Sequence, residues 1–454
     1  MTTVHEQGHA TDVRVKDLSR KDRLKSYIGA VSGNFLEWLD WTMFAVFTPY
    51  IAMNFFDTTN PTSAVLNTLV VFAVGFVSRP VGALVLGRMG DRIGRKMILV
   101  FCISMMSVCA FAIALIPTYA QIGIWASVLL VVVRLVQGFV HGGEAGAAYT
   151  YIAELAPKEK RAFWGSGAFV SANLGALLAT LLAFILTSTL GAEAMGAHGW
   201  RIAFMVAGVV GVAVYFIRRA ATETIDIPVK ADTAAADKSK AKPPARQWSK
   251  RAVTRRLILV GALVATSTMP YYIWGTLAST TAITTKGMDP QAAFAVALVA
   301  QALILVVLPF AGKFVDRFGR RIGVTIYAIG VIVLPIPLSF VLSDQPWSLF
   351  VYMVAGLLFW TLIATVIPVY LPELLPTGVR AFGVSFGSAV AIAIFSGTAP
   401  YLQTWLASMG IGWVFALYMS LTGVAALVII RFLPETKGID LNDVTLPEDA
   451  KVNA

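Results

Sequence analysis

The 454-residue chain is 57% hydrophobic and only 13% charged, with a mean hydropathy of +0.74. Soluble domains carry about 25% charged residues, so this composition excludes a water-covered globular fold and indicates a polytopic membrane protein. The net charge of +11 does not indicate nucleic-acid binding, because the basic residues follow the membrane topology described below.

Twelve apolar segments are long enough to cross a bilayer as helices, which takes about 20 residues. The polar residues 1–26 lack the apolar core of a cleaved signal peptide, so the first segment is expected to act as an uncleaved signal. We number these segments spans 1 to 12 in chain order: 27–53, 64–86, 97–117, 122–153, 162–190, 200–218, 257–282, 291–311, 322–342, 349–371, 381–408 and 411–432.

The basic residues are concentrated on one side of these spans. If both termini and every second loop are cytoplasmic, all but four of the 36 lysines and arginines lie inside; the four are Arg79, Arg134, Arg201 and Lys286. Because cytoplasmic loops carry an excess of lysine and arginine, we predict a multi-pass protein of the cell inner (plasma) membrane with both termini cytoplasmic.

The chain repeats itself after six spans. The loop Gly-Arg-Met-Gly-Asp-Arg-Ile-Gly-Arg-Lys at 87–96 matches Gly-Lys-Phe-Val-Asp-Arg-Phe-Gly-Arg-Arg at 312–321, and Tyr-Ile-Ala-Glu-Leu-Ala-Pro at 151–157 matches Tyr-Leu-Pro-Glu-Leu-Leu-Pro at 370–376. Two six-helix repeats predict a transporter with its site near the membrane midplane. The predicted units are a cytoplasmic segment 1–26, a half 27–218, a polar linker 219–256, a half 257–432 and a cytoplasmic tail 433–454.

Span 4 carries the densest polar motif, Arg-Leu-Val-Gln-Gly-Phe-Val-His-Gly-Gly-Glu at 134–144. Spacings of three, four and three place Arg134, Gln137, His141 and Glu144 on one helix face. Charges inside a membrane normally face a wet cavity or a partner, and the interleaved glycines let another helix approach. The motif predicts either a buried ion pair that fixes packing or a polar path through the membrane.

These motifs resemble the major facilitator superfamily, whose signature is the duplicated Gly-x-x-x-Asp-Arg-x-Gly-Arg loop and an Arg-x-x-Gln-Gly motif in the fourth helix. Three further pieces, Gly-Asn-Phe-Leu-Glu-Trp-Leu-Asp at 33–40, the run 134–157 and Gly-Trp-Arg-Ile-Ala-Phe at 199–204, are similar to the metabolite:proton symporter family. That resemblance implies an all-α fold of twelve transmembrane helices and permeases for substrates such as α-ketoglutarate, citrate, shikimate or proline and betaine.

The chain departs from this family in two places. His141 stands where relatives usually carry a small residue, which could change proton handling. The tail from Pro434 to Ala454 lacks the heptads of osmosensing proline/betaine carriers, which weakens an osmolyte interpretation. Span 5 also lacks the Gly-Pro element of drug:proton antiporters, which disfavours export.

Proton coupling requires a group whose pKa changes as it gains or loses a cationic neighbour or becomes desolvated. Asp40 and Glu37 share one face of span 1 and rank first, because their depth lets them meet Arg134 or His141 from span 4. Glu144 follows, with a structural pair to Arg134 or Arg79 as its alternative role. His141 is a candidate relay, since an unperturbed imidazole titrates at about pH 6.5.

Arg134 is the predicted substrate ligand, because a guanidinium can hold a carboxylate with two parallel hydrogen bonds, although the same arginine could only organise span 4. In spans 7 to 12 the candidates are uncharged, and Pro270 breaks span 7 beside two of them. The complete predicted binding set is Arg134, Gln137, Asn34, Tyr271, Tyr272, Trp274, Trp360 and Gln301.

Charged residues at the cytoplasmic helix ends are predicted to form latches that break and re-form between inward-facing and outward-facing states. The predicted gating residues are Asp91, Arg92, Arg95, Asp316, Arg317, Arg320, Glu154, Arg161, Glu373 and Arg380.

The sequence therefore predicts a proton-coupled importer of a small organic anion such as a di- or tricarboxylate, without cofactor or metal, acting as a monomeric transport unit in the lipid bilayer. A zwitterionic osmolyte as substrate and an uncoupled facilitator remain alternatives. An enzyme is not expected, because no catalytic triad, metal cluster or phosphate loop is present.

Overall fold

A computed structural model describes residues 20–93, 95–142, 145–220, 250–376, 379–441 and 444. Within these residues the chain is helical and contains no strand. Span 1 is formed by α1 (Arg20–Val46) and α2 (Thr48–Phe55), span 2 by α3 (Pro61–Val77) and α4 (Arg79–Ile93), and span 3 by α5 (Arg95–Leu115). Span 4 is formed by a short α6 (Tyr119–Ile122) with α7 (Ile124–His141) and α8 (Ala145–Leu155), span 5 by α9 (Arg161–Ala194), and span 6 by α10 (Trp200–Ala220).

Spans 7 to 12 follow the same plan, with two of them interrupted by π-helical turns at Tyr272–Thr276 and Ile392–Ser396. Span 7 is formed by α11 (Lys250–Tyr271) and α12 (Ala278–Lys286), span 8 by α13 (Pro290–Phe318), and span 9 by α14 (Arg320–Val333) and α15 (Pro335–Val341). Span 10 is formed by α16 (Pro346–Glu373), span 11 by α17 (Arg380–Ala391) and α18 (Gly397–Ser408), and span 12 by α19 (Gly412–Arg431).

All twelve predicted spans correspond to helices. Nine helices of the described chain are long and apolar enough to cross a membrane, and the pair α14 and α15, bent by 47°, makes ten if it is counted as one span. Span 3 has a shorter apolar stretch, Val100–Leu115. Span 1 is less apolar because Asn34, Glu37 and Asp40 interrupt it, and these residues are buried inside the protein.

Helices α1 and α11 begin at Arg20 and Lys250, seven residues before the predicted starts of spans 1 and 7. Basic residues can continue a helix beyond the hydrocarbon region, so apolar sequence alone places these ends too late. Most of the predicted linker 219–256 lies outside the described residues, and the predicted domain boundaries stay predictions.

Two hydrophobic cores hold the helices together. One is built from spans 1 to 6 and includes Trp41, Phe44 and Trp200; the other is built from spans 7 to 12 and includes Trp274 and Trp360. A few side chains cross between them, among them Phe169 in the second core and Tyr272 in the first. The surface between the two cores is therefore where polar residues from both halves can meet.

Span 7 breaks where its sequence predicts a break. Pro270 has no backbone N–H to donate, and the following turn widens so that the Leu277 N–H donates to the Tyr272 carbonyl at 2.8 Å. π-Turns of this kind are frequent at functional sites. The widened turn carries Tyr271 and Tyr272 toward the first half.

Candidate functional site

Two acid–base pairs lie buried between spans 1, 2 and 4. In the first, Arg134 of α7 lies 3.3 Å from the Asp40 carboxylate of α1 and donates to Gln137 at 2.8 Å, while Gln137 donates to Asp40 at 2.5 Å. Arg134 is fully buried, with its guanidinium over the rings of Trp41 at 4.2 Å and Phe44 at 4.3 Å. Cation–π contacts of this kind partly compensate a desolvated guanidinium.

The second pair joins Arg79 at the start of α4 to Glu37 of α1, with 3.1 Å between the two groups. Arg79 also lies over the Trp41 and Phe76 rings, at 4.4 and 4.7 Å. The Trp41 ring therefore contacts the arginine of each pair. Glu37 and Asp40 lie three residues apart and therefore on one face of α1. Each of the two carboxylates pairs with one arginine.

His141 lies between the two carboxylates. Its Nδ1 is 3.9 Å from Glu37 Oε1 and its Nε2 is 3.7 Å from Asp40 Oδ2. Neither ring nitrogen has a hydrogen-bond partner among the described residues, and the side chain is 1% exposed. The sequence predicted that a span 1 carboxylate meets Arg134 or His141, and in the structure Asp40 contacts both.

Glycines let spans 2 and 4 approach each other closely beside this cluster. A Cβ at Gly138 would lie 1.7 Å from the Gly75 carbonyl oxygen, and one at Gly142 would lie 2.0 Å from the Arg79 carbonyl oxygen. Backbones in such contact leave no room for any side chain. Spans 2 and 4 therefore touch directly next to this cluster.

A cavity of about 50 Å³ lies next to the Glu37–Arg79 pair, between the two halves. One water molecule needs roughly 10–15 Å³ of such space, whereas metabolite pockets reach about 300 Å³ or more. The cavity in this structure therefore has room for a few water molecules and is too small for a metabolite. Arg79 is the one charged residue among the described residues that line it. The lining is Trp38, Arg79, Tyr149, Phe169, Val264, Ser267, Thr268, Tyr271, Tyr272, Trp360, Ile363, Ala364, Ile367, Ser388 and Ile392.

Aromatic rings from both halves make up much of the wall. Tyr271 and Trp360 stack at 4.3 Å, and Trp38 of span 1 contacts Tyr271 edge-on at 4.9 Å and Tyr272 at 5.8 Å. Ser388 Oγ is buried without a hydrogen-bond partner among the described residues. The cavity thus combines one cation, aromatic faces and an unsatisfied hydroxyl group.

The structure brings three of the eight predicted binding residues, Tyr271, Tyr272 and Trp360, to this cavity. The other five lie elsewhere: Arg134 and Gln137 bind Asp40, Asn34 donates to the Ala168 carbonyl, Gln301 bonds Thr180 at 3.1 Å, and Trp274 packs on Gly356. Their roles as substrate ligands stay predictions.

Sequence reasoning left out several cavity residues. Arg79 was recognisable as a charge within a span, but Trp38, Tyr149 and Phe169 carry no signal that separates them from the many other aromatic side chains of the chain. The lining hydroxyl residues Ser267, Thr268 and Ser388 are equally common in helix packing.

A second polar cluster joins the halves at the end predicted to be cytoplasmic. Asp316 accepts from the backbone N–H groups of Ala162 and Phe163 at 2.9 and 2.8 Å, so its carboxylate caps the start of α9. Negative charge is favourable at a helix N-terminus. This contact links span 8 directly to span 5.

Two arginine–glutamate pairs cross between the halves in opposite directions. Arg161 lies 2.8 Å from Glu373, and Arg380 lies 3.2 Å from Glu154. Arg320 adds a second arginine on Glu373 at 3.0 Å. These contacts, with the Asp316 cap, form what we call the latch.

The remaining predicted gating residues take no described part in the latch. The Arg317 side chain lies over the Phe318 ring at 5.4 Å, and its carbonyl accepts from Lys437 Nζ at 2.7 Å. The side chains of Asp91, Arg92 and Arg95, and the whole of Glu144, lie outside what the structure describes.

Within the described ranges, no group of three or more His, Cys, Asp or Glu side chains is arranged to hold a metal ion. The chemistry open to the buried cluster is exchange of ion-pair partners. A carboxylate entering the cavity can reach only Arg79 among the described cations, and it competes there with Glu37.

Comparison with known proteins agrees with this architecture. The family model of the Major Facilitator Superfamily matches residues 30–398. The chain is 31% identical over 430 residues to the α-ketoglutarate permease of Escherichia coli (strain K12), covering 94% of this chain and 98% of the permease.

Other relatives include a citrate-proton symporter of Klebsiella pneumoniae, 30% identical over 86% of this chain and 87% of the symporter. An ectoine/proline transporter of Corynebacterium glutamicum is 31% identical over 90% of this chain and 83% of that protein. The solved proton:xylose symporter XylE from the same superfamily superposes with a TM-score of 0.72 over 94% of this chain and 99% of its own, and at 18% identity this likeness shows the fold alone.

Proposed function

The chain belongs to the Major Facilitator Superfamily as a multi-pass membrane transporter of the symporter type, and from this premise we propose that it imports a small organic carboxylate together with protons. One observation carries the proposal: Arg79 lines the cavity while it holds the buried carboxylate of Glu37 at 3.1 Å. A substrate carboxylate and Glu37 therefore compete for one guanidinium.

This competition supplies the coupling. A substrate carboxylate that binds Arg79 displaces Glu37, and a buried carboxylate without its cation binds a proton more readily. His141 lies 3.9 Å from Glu37 and 3.7 Å from Asp40, so the proton would stay within this cluster. When the substrate leaves, Arg79 pairs again with Glu37 and the proton is released.

Alternating access would use the latch. The Asp316 cap and the Arg161–Glu373 and Arg380–Glu154 pairs hold the halves together at one end, next to a cavity too small for a metabolite. Opening toward the cytoplasm requires these contacts to break, with both termini on that side as the distribution of basic residues predicts.

For the substrate we propose a carboxylic acid of the α-ketoglutarate or citrate class, which are the substrates named for two of the relatives. Arg79 would bind one carboxylate, and the hydroxyl groups of Ser267, Thr268 and Ser388, which also line the cavity, would bind further oxygens. The unsatisfied Ser388 hydroxyl supports this arrangement.

A zwitterionic osmolyte is the second candidate, and the aromatic wall favours it. Quaternary ammonium groups bind over aromatic faces, here those of Trp38, Tyr272 and Trp360. A zwitterion would place its carboxylate on Arg79 and its cation beside an ionised Glu37, so Glu37 would not need a proton. The two candidates therefore differ in whether binding takes up a proton at this cluster.

The test is substrate-induced pH change in proteoliposomes that contain the full chain, with α-ketoglutarate, citrate, shikimate, benzoate, proline and betaine. We expect proton uptake with a carboxylic acid, lost in Arg79→Ala and kept in a control variant of the exposed Arg255, Arg255→Gln. Transport of an acid without proton movement would indicate an uncoupled facilitator and contradict the proposal. Uptake of radiolabelled betaine or proline, without uptake of the acids, would favour the second candidate.

A further inference from the structure

We propose that a dicarboxylate occupies the cavity with a single negative charge: one carboxylate pairs with Arg79, and the second carboxyl group is protonated and donates to the hydroxyl oxygen of Ser267. The inference rests on the proposed function and specifies the ionic form of the substrate that this site accepts. It implies that a dicarboxylate is imported with one proton more than a monocarboxylate of the same shape.

The first argument is the number of cations at the cavity. Arg79 is the one charged residue among the described residues that line it, and its pairing with Glu37 leaves room for one carboxylate in exchange. Arg134 does not line the cavity, because it is enclosed by Trp41 and Phe44 and paired with Asp40. A second ionised carboxylate would therefore lack a cation, and a buried ion without a partner becomes neutral instead.

The second half of the chain does not supply the missing charge. Its buried arginines Arg320 and Arg380 are paired with Glu373 and Glu154 in the latch. The cavity wall contributed by spans 7, 10 and 11 consists of aromatic, aliphatic and hydroxyl side chains. The face of an aromatic ring carries the negative part of its quadrupole, so this wall disfavours a second negative charge.

The hydrogen-bonding groups of the wall match a protonated carboxyl group, which has one O–H donor and a carbonyl acceptor. Ser267 lines the cavity, and its hydroxyl already donates to the Val264 carbonyl at 2.8 Å, so its oxygen can only accept. The hydroxyl of Ser388 has no hydrogen-bond partner among the described residues and can donate. An ionised carboxylate has no hydrogen to offer to Ser267.

The proton balance follows from these assignments. One proton from water on the outer side adds to the second carboxylate of the substrate and forms an O–H bond. Another adds to Glu37 when Arg79 leaves it for the substrate. Both O–H bonds break toward cytoplasmic water when the substrate is released. A doubly charged acid therefore enters with two protons and a singly charged acid with one, and neither moves net charge across the membrane.

The direct test compares radiolabelled α-ketoglutarate with its methyl ester at the carboxyl group distant from the keto group, using the full chain in proteoliposomes. The ester cannot ionise at this position. A carboxyl group with a pKa of about 4.3 loses its protonated form about tenfold per pH unit between about pH 6 and pH 8. We expect the ratio of the two KM values, acid over ester, to rise by this factor, because protons bound by the protein affect both compounds equally. A ratio independent of pH would overturn the proposal.

Counting protons gives a second measurement on the same vesicles. A pH indicator and the radiolabel together report the number of protons imported per molecule at about pH 7, where the acid is almost fully ionised. We expect two protons for α-ketoglutarate and one for the ester, with both rates unaffected by an imposed membrane potential. A single proton for α-ketoglutarate would overturn the proposal. If the ester is not transported, the proton count for the acid decides alone.

Ser267→Ala tests the proposed acceptor. Loss of one hydrogen bond between neutral groups should raise the KM of α-ketoglutarate about two- to tenfold and leave that of the ester unchanged. The matched control is Ser420→Ala, at a buried serine of span 12 that does not line the cavity. An equal change for acid and ester would show that Ser267 only supports the helix packing, and it would overturn this assignment.

The ionic form can fail while the proposed function stands. Proton-coupled uptake of α-ketoglutarate with a constant KM ratio and one proton per molecule would retain the proposed function and overturn the singly charged form alone. Absence of uptake for every acid of the panel would overturn both.

Discussion

The latch and the buried cluster show two different uses of a duplicated chain. In the latch, the halves contribute equivalent residues: Arg161 with Glu373 in one direction and Arg380 with Glu154 in the other. In the interior, the described charges come from spans 1, 2 and 4 alone, and the second half faces the cavity with tyrosine, tryptophan, serine and threonine.

The comparison assigns different roles to symmetric and asymmetric residues. Reciprocal pairs suit a gate, because both halves must separate and rejoin in each cycle. Coupling needs a site whose charge changes in one place, and concentrating the charges in one half leaves the other half free to recognise the neutral parts of the substrate. Four predictions test this division, from the largest effect to the smallest.

Arg134→Ala is expected to have the largest effect on stability. It leaves the Asp40 carboxylate buried without its cation, and breaking a buried pair on one side costs about 3–5 kcal/mol. Thermal unfolding in detergent should show a large drop in Tm. Replacing both partners, as Arg134→Met with Asp40→Leu, should recover part of the loss; a single variant as stable as wild type would mean that the pair is not structural.

The latch is symmetric in sequence but unequal in burial. The Glu373 side chain is fully buried and holds two arginines, whereas that of Glu154 is 36% exposed. Glu373→Gln should weaken the latch by about 3–5 kcal/mol and Glu154→Gln by about 1 kcal/mol or less.

Thiol labelling measures the consequence of a weaker latch. A cysteine replacing the cavity residue Ala364 should become accessible from the cytoplasmic side in the Glu373→Gln background, and much less so with Glu154→Gln. Equal labelling in the two backgrounds would contradict the inequality, and increased labelling from the outer side would contradict the predicted orientation.

Arg79→Lys keeps the positive charge but loses the planar fork that binds a carboxylate with two hydrogen bonds. Since hydrogen bonds to charged groups contribute about 1.5–3 kcal/mol, we expect KM to rise about 10- to 100-fold for the transported acid. Uptake kinetics in proteoliposomes measure this change, with Arg255→Lys as the exposed control. An unchanged KM would remove Arg79 from the substrate site.

Trp360→Leu is expected to have the smallest effect. It removes an aromatic face of the cavity wall, and an aromatic contact contributes about 0.5–1.5 kcal/mol, so KM should rise about two- to tenfold for an acid. A quaternary ammonium substrate should lose about 2 kcal/mol or more. Comparing Trp360→Leu with Trp360→Phe for both substrate types therefore also separates the two candidate functions.

Much of the fold could be predicted from the sequence, because its signals are local. The length and apolarity of each span, the repeated loops at 87–96 and 312–321, and the break at Pro270 each depend on residues close together in the chain. The meeting of Asp40 with Arg134 and His141 was also predictable, because helical spacing and depth in the bilayer limit which side chains can meet.

The tertiary structure alone decided which arginine faces the cavity. Arg134 and Arg79 look alike in the sequence as charges within spans, yet Arg134 is enclosed by Trp41 and Phe44 while Arg79 lies on the cavity wall. The same holds for the aromatic lining and for the Asp316 cap on α9. These outcomes depend on how each helix is rotated and how closely it approaches its neighbours, and backbone contacts such as Gly138 on Gly75 set that geometry between residues far apart in the chain.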